Sequence, residues 1–266
     1  MSALPRLLAA CVFCGRNDGA LTKEYVLPQH LARYFPDEAE RADPVRRSED
    51  GRIVDLPGAK HRFENAVRDV CGACNSGWMQ QLDIAAKPIV LAIANDNERT
   101  VRAADADVLR AWTTKTALMR TLMDRAACQH ARPERFREFY DHRQPFGKNF
   151  VQIARCARRA IDSNQSWQAR DAGDAYCNVV SMTLGNLLFQ VGIATPQDPH
   201  FYTLVGEMLR AAKIETPGRI STVRADRDTY LVGELDKRET ALVQDLHFLR
   251  VDAPRSTRQM DLSEMT

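Results

Sequence analysis

Two Cys-x-x-Cys pairs constrain this chain more than any other feature of its sequence: Cys11 with Cys14, and Cys71 with Cys74. A two-residue gap in a tight turn lets both sulfurs face one ion, and two such turns supply the four thiolates of a closed tetrahedral zinc site. Gly15 and Gly72 suit these turns because glycine accepts positive φ without steric cost. We therefore expect a structural zinc ion, since four protein ligands leave no open position for catalysis.

Two other interpretations of the cysteines are weaker. The pairs could be unrelated thiols in a reduced core, or redox-active motifs of the thioredoxin kind, but neither pair lies in a clear strand-to-helix context. Seven cysteines is also an odd number for a disulfide framework, and paired cysteines in a reducing compartment more often bind metal. The cysteine content thus favours a cytoplasmic metal site.

The composition is that of a folded, water-soluble chain. Apolar residues make up 44% and charged residues 27% of 266 positions, and the formal net charge is only +2. No apolar run approaches the roughly 18 residues that a membrane span requires. The apolar stretch before Cys11 is about four residues long, against the 7–15 of a signal peptide, so we expect Cys11 to be retained in a cytoplasmic protein with no membrane partner.

The cysteine pairs are separated by 56 residues, far more than in a simple zinc ribbon, so a sizeable segment is inserted between them. Glu24-Tyr25-Val26-Leu27-Pro28 follows the first pair, and Asn75 directly follows Cys74. This order resembles the zinc-stapled HNH, or ββα-metal, endonucleases. In that family an acidic-His-x-x-Pro element follows the first cysteine pair and an Asn follows the last cysteine. The resemblance covers roughly residues 11–90.

The resemblance implies a site and a reaction. In the family, the acidic residue and the Asn hold one divalent cation, magnesium or manganese, against the scissile phosphate of DNA, and these roles fall on Glu24 and Asn75. Both offer the hard oxygen ligands that magnesium prefers. The implied chemistry is metal-assisted phosphodiester hydrolysis, in which the ion neutralises developing charge while a base activates water.

The sequence departs from the family at the base. The family has a His directly after the acidic residue, where this chain has Tyr25, and a tyrosine with a usual pKa of about 10 is a poor base at neutral pH. The family's His or Lys a few residues after the Asn is also missing. His30 and His61 are candidate substitutes, although the pattern favours placing His30 on the outside of a short helix begun near Pro28 and His61 in a polar loop.

Three functional hypotheses follow. The chain is a metal-dependent HNH-like endonuclease weakened by Tyr25; or it is a catalytically inactive descendant whose zinc module binds nucleic acid or a protein partner; or it is an unrelated structural-zinc protein. The ordered run of Glu24, Pro28 and Asn75 around the cysteines disfavours the third. The joint presence of Glu24 and Asn75 favours the endonuclease.

The pattern predicts an α+β fold with three segments: a zinc-binding HNH-like module at 1–95, an α+β domain at 96–253 and a polar tail at 254–266. In the first segment we expect a strand at 52–56 and, anchored by Trp78, a helix that ends near Pro88. In the second we expect helices at 105–125 and 201–213, and strands at 149–155, 176–184, 187–194, 229–233 and 246–251.

Local charge suggests a nucleic-acid surface in the second segment. Residues 110–159 contain twelve Lys or Arg and four Asp or Glu, a local balance of +8. Phosphate binding requires such a basic band, although a solvated surface would also explain it. We take Arg132, Arg135 and Arg137 as candidate DNA-binding residues.

Overall fold

The structure is a computed structural model and describes residues 10–36, 46–47, 53–54, 62–95, 100–123, 133–144, 150–156, 164–170, 176–194, 223–224, 229–231 and 233–235. Helices and short strands are mixed along these residues, and a cysteine cluster lies near the N-terminus, so the predicted α+β class is confirmed. Within the described ranges, no helix has both the length and the apolar character needed to cross a membrane.

The N-terminal part is built in the order strand, strand, helix. Strand β1 (Leu21–Tyr25) pairs antiparallel with β4 (Ala66–Cys71), with a bulge between Thr22 and Glu24. The chain between them contains a 3₁₀ turn at Gln29–Tyr34 and the short strands β2 (Arg46–Arg47) and β3 (Ile53–Val54), which pair with each other. β3 lies inside the strand predicted at 52–56.

After β4 the chain turns directly into a helix. A single helical turn at Gly72–Cys74 and a π-helical turn at Asn75–Met79 lead into α1 (Gln80–Asn95). The prediction that this helix ends near Pro88 is wrong, because Pro88 lies inside α1. Proline removes one backbone hydrogen bond, at about 3 kcal/mol, but Val90, Ile93 and Ala94 beyond it are fully buried. Their packing holds the last two turns in place.

Helix α2 (Ala103–Met123) runs through the centre of the described structure. It begins and ends two residues before the predicted bounds of 105–125. Its predicted apolar face is confirmed, since Leu109, Trp112, Thr116 and Met119 are buried, and the Trp112 ring lies 5.6 Å from that of Phe189. α2 packs against α1, β4 and three strands of the main sheet. A third helix, α3 (Pro133–His142), was not predicted.

The main sheet is formed by β6 (Phe150–Cys156), β7 (Asn164–Arg170), β8 (Tyr176–Leu184), β9 (Leu187–Ala194) and β12 (Gly233–Leu235). Its five strands have the order β12-β6-β9-β8-β7 and are antiparallel except for β12 beside β6. Strands β8 and β9 match the predicted bounds, β6 is shifted by one residue, and β7 was missed because its sequence is largely polar. A small second sheet is formed by β5 (Thr100–Arg102), β10 (Val223–Arg224) and β11 (Thr229–Leu231), in the order β10-β11-β5. The strand predicted at 229–233 is divided between β11 and β12. The predicted elements at 201–213 and 246–251, and the tail, lie outside the described residues.

The β8–β9 hairpin joins the sheet to the N-terminal part. Gly185 begins its two-residue turn with a φ of +58°, and the backbone N–H of Asn186 donates to the carbonyl of Ala94 at the end of α1 (3.1 Å). The Arg62 guanidinium also donates to the carbonyl of Thr183. Residues on both sides of the boundary predicted at 95/96 therefore share one hydrophobic core.

We expect Gly185→Ala to lower the free energy of unfolding by about 1–3 kcal/mol, because the left-handed backbone is strained for alanine. The new Cβ would also lie 2.8 Å from Phe35 Cε1 and 3.1 Å from the Ala94 carbonyl oxygen. Gly19→Ala is the matched control, since no atom lies within 4 Å of its added Cβ. Urea unfolding of both variants checks this, and equal stability would contradict it.

Candidate functional site

The four cysteines of the two pairs converge on one point. Cys11, Cys14, Cys71 and Cys74 are all buried, and their sulfur atoms lie within 4.8 Å of one another. The Sγ atoms of Cys14 and Cys71 are 3.6 Å apart. Tetrahedral zinc with Zn–S bonds of about 2.3 Å places its sulfurs about 3.8 Å apart. The predicted grouping is confirmed: the cluster could hold a metal ion, and its chemistry is consistent with structural zinc.

The first pair forms a turn that directs backbone N–H groups at sulfur. Gly15 has the expected positive φ of +70°, and its N–H donates to the carbonyl of Cys11 (2.8 Å). Burial raises the pKa of the Cys11 thiol. Hydrogen bonds from the N–H groups of Cys14, Cys71 and Phe13 together lower this pKa by a larger amount, so the net shift is downward. These donors favour the thiolate that a metal requires.

The expectation for Gly72 is wrong. Its φ is not positive, because it begins the helical turn at Gly72–Cys74 rather than a left-handed turn. A Cβ at this position would lie 3.6 Å from Thr22 Cγ2, an ordinary contact. The second pair therefore brings its sulfurs together through the junction of a strand and a helix.

Aromatic side chains cover the cysteine cluster. The Trp78 ring lies 5.4 Å from Phe13, 5.9 Å from Phe139 and 6.3 Å from Tyr140, measured between ring centroids. Phe136 completes the group at 5.5 Å from Phe13. Trp78 thus packs in the core, as predicted, and α3 forms one wall around the cluster. Burial raises the pKa of the Cys74 thiol.

The candidate DNA-binding arginines take part in this packing. Arg135 is buried, and its Nη1 lies 3.0 Å from Glu138 Oε2. Arg137 donates to the carbonyl of Cys14 and lies 3.7 Å from Asp141 Oδ1. Arg132 lies outside the described residues. Both described arginines are therefore engaged within the protein.

Glu24 belongs to a buried ionic cluster. Its Oε1 lies 3.7 Å from the ammonium of Lys115, which also lies 2.8 Å from Asp83 Oδ1, and the indole N–H of Trp112 donates to that same oxygen (2.9 Å). Lys115 is fully buried. Burial raises the pKa of Glu24 to about 7; the Lys115 charge opposes the shift and the Asp83 charge adds to it.

Asn75, which directly follows the second cysteine pair, contacts β1, the strand that contains Glu24. Its side-chain amide donates to Thr22 Oγ1 (3.0 Å) and to the carbonyl of Lys23 (3.1 Å). These bonds hold the start of the helical segment against the bulge in β1. Glu24 and Asn75 therefore both lie at β1, but the carboxylate faces Lys115 while the amide N–H groups face the strand.

The three candidate general bases, Tyr25, His30 and His61, do not share one environment. Tyr25 is half-buried, and the Lys23 ammonium lies 4.5 Å from its ring centroid. His30 is exposed on the 3₁₀ turn, as predicted. Partial desolvation lowers the pKa of His30, while the charge of Asp83 opposes the shift. His61 lies outside the described residues.

Sequence reasoning missed Asp83 and Lys115. One signal was available for Lys115, which follows Trp112 by three residues and so lies within the apolar face of α2. A charged residue in such a stripe is rarely buried unless it is paired. Asp83 carries the same signal, because it lies at helical spacing in the apolar stripe of Met79, Ala86 and Val90.

Comparison with known proteins gives no relative to set beside this site. No protein-family model matches the chain, and neither the curated proteins nor the solved structures contain a significant match to it. Functional inference therefore depends on the residues themselves.

We expect the purified protein to contain one metal ion per chain, and Cys74→Ser to lose it together with thermal stability, because metal binding in such sites is coupled to folding. Cys177→Ser, which changes a cysteine of β8 that belongs to neither Cys-x-x-Cys pair, is the control and should keep the metal. Elemental analysis and thermal unfolding check both. A well-folded parent protein without metal would contradict the prediction.

We expect Glu24 to make stability depend on pH. Its folded-state pKa of about 7 lies above its ordinary value of 4.5, so the folded state favours the protonated form. That contribution is complete below pH 4.5 and is lost as the pH rises through 7. Glu24→Gln, which mimics the protonated form, should match the parent at pH 4.5 and become relatively more stable by pH 8. Urea unfolding across this range, without added magnesium or manganese, checks the trend; a constant difference would contradict it.

Proposed function

We propose that the N-terminal part is an HNH-like, zinc-stapled module that hydrolyses DNA phosphodiester bonds with the help of a divalent ion. The observation that carries the proposal is the four-cysteine cluster at the base of an antiparallel strand pair that leads into a helix. This cluster joins the turn before β1 to the junction of β4 and the helix. Glu24 and Asn75, the two family positions for metal ligands, thereby lie at the same strand.

The zinc fit is good, because four buried sulfurs at close range form a closed donor set. The fit to magnesium or manganese is partial. Glu24 and Asn75 supply hard oxygen donors, and the Asn75 hydrogen bonds use its N–H groups. The Lys115 ammonium, however, already lies 3.7 Å from Glu24 Oε1. When bound, a divalent ion would polarise the phosphate and stabilise the leaving oxygen.

The protein's own residues have defined tasks in this proposal. Glu24 must be ionised to act as a ligand, and the neighbouring Lys115 charge favours that form. Asn75 fixes the backbone around the bulge, so that the position of Glu24 depends on it. The attacking water needs a base, and the candidates are Tyr25 in the family position and His30, whose lowered pKa keeps its imidazole neutral at pH 7.

A second candidate function is a binding module without catalysis. Two observations favour it: Lys115 occupies a cation's position beside Glu24, and Tyr25 replaces the family's base. In this case the zinc module binds nucleic acid or a protein partner. In both cases we propose that the remainder of the chain, from residue 96, assists binding, and that the protein acts in the cytoplasm.

We expect Tyr25→His to raise magnesium- or manganese-dependent cleavage of plasmid DNA by about 10²–10⁴-fold, the usual contribution of a general base. Glu24→Ala in that background should abolish the gain, because the ion loses a ligand. Tyr25→Phe is the matched control and should give no gain. Gel assays of supercoiled DNA with each metal, and with chelator, measure the effect.

Other outcomes redirect the proposal. Cleavage by the parent that His30→Ala removes would show that His30 is the base. Absence of cleavage by Tyr25→His with either metal, while DNA binding persists, would contradict the endonuclease and support the binding module.

A further inference from the structure

Two cationic side chains and a histidine lie on one face formed by the 3₁₀ turn and α1. His30 and Arg33 are three residues apart in the turn, and a 3₁₀ helix has three residues per turn, so they share a side. Lys87 lies on α1 and approaches the Tyr34 ring of the turn. The Arg33 Cζ and Lys87 Nζ atoms each lie 4.9 Å from the centroid of the Tyr34 ring. We call these four residues the Tyr34 face.

The cations of this face are held on a shared phenol. Arg33 Nη2 donates to Tyr34 Oη at 2.9 Å. Hydrogen bonding to Lys87 and to Arg33 lowers the pKa of the Tyr34 phenol. Stacking on one ring restricts two long side chains that would otherwise be free, and this reduces the entropy lost when a ligand binds.

No carboxylate among the described residues neutralises Arg33 or Lys87 within 4.0 Å. The natural partner would be Asp83, one helical turn before Lys87 on α1. Asp83 instead points inward, where Trp112 and Lys115 hold its two oxygens. Asp83 therefore does not pair with Arg33 or Lys87 at the surface above it.

This arrangement has the chemistry of a phosphate site. An arginine carries five N–H donors in a planar fork, and only one is used on Tyr34. Lysine adds a compact charge, and histidine adds a ring N–H. The Arg135 and Arg137 guanidinium groups contact Glu138, Asp141 and a backbone carbonyl, so they offer less to an external anion.

We propose that the Tyr34 face binds a phosphate of a nucleic-acid backbone, with Arg33 and Lys87 as the principal contacts and His30 beside them. The proposal rests on the proposed function for the identity of the anion. It assigns phosphate recognition to the 3₁₀ turn and α1, close to Asp83 and the cluster containing Glu24, rather than to α3.

The test measures binding of a labelled DNA duplex by fluorescence anisotropy at several salt concentrations, without added magnesium or manganese so that no cleavage occurs. The test variant is Arg33→Gln with Lys87→Gln. We expect affinity at 50 mM salt to fall by about tenfold or more, and the slope of log affinity against log salt to shrink by about 1.8, since each lost phosphate contact removes about 0.9.

The matched control is Arg16→Gln with Arg68→Gln, which removes the same charge from two exposed arginines elsewhere in the N-terminal part. The control should bind nearly as the parent does. Tyr34→Phe keeps the ring and removes only the oxygen acceptor, so its affinity should lie between the parent and the test variant. Thermal unfolding within a few degrees of the parent shows that each variant is folded.

Equal weakening by the two double variants would show that only net charge matters and would overturn the proposal. An unchanged test variant, or a parent with no affinity for DNA at low salt, would also overturn it. Cleavage is scored separately in magnesium with Tyr25→His. If DNA binding depends on the Tyr34 face while no variant cleaves, the phosphate site stands and the hydrolytic function fails.

Discussion

The four-sulfur cluster is the constraint on which the rest of this structure depends. It joins residues separated by 56 positions, and the insertion between them costs little, because the entropy of closing a loop rises by only about 0.6 kcal/mol for each doubling of its length. Metal binding in structural zinc sites supplies about 10–16 kcal/mol. A long excursion is thus tolerated between the pairs, and β1, β4 and the start of α1 are fixed at the point where the excursion closes.

A second constraint lies beneath the strand pair, in the cluster of Glu24, Asp83 and Lys115. Burial raises the pKa of Glu24, and the negative charge of Asp83 adds to this shift although Lys115 opposes it. Removing one partner of a buried pair typically costs about 3–5 kcal/mol. The cluster therefore locks α2 onto α1 and β1. It also links any role of Glu24 as a ligand to the position of α2, which the HNH resemblance alone does not imply.

Local patterns in the sequence predicted the elements whose form depends on local physics. β8 and β9 follow from apolar runs separated by a Gly-Asn turn, and the cysteine grouping follows from the Cys-x-x-Cys spacing. The continuation of α1 beyond Pro88 could not be predicted, because burial of Val90 and Ile93 outweighs the lost hydrogen bond. β7 was missed because its residues are mostly polar. The Asp83–Lys115 pair joins positions 32 residues apart, which periodicity within one helix cannot detect.

Counting charges along the sequence points to a different surface from the Tyr34 face that we propose. The basic balance of 110–159 includes arginines that help α3 pack beside the cysteine cluster, where their charge meets Glu138, Asp141 and a backbone carbonyl. Phosphate recognition requires cations that converge and lack a local partner, and this depends on where the neighbouring carboxylates point. Asp83 illustrates the difference: its carboxylate contacts Lys115 and Trp112 in the core rather than Lys87 at the surface. The phosphate site that we propose at the Tyr34 face therefore depends on the same contacts that hold α1 and α2 together.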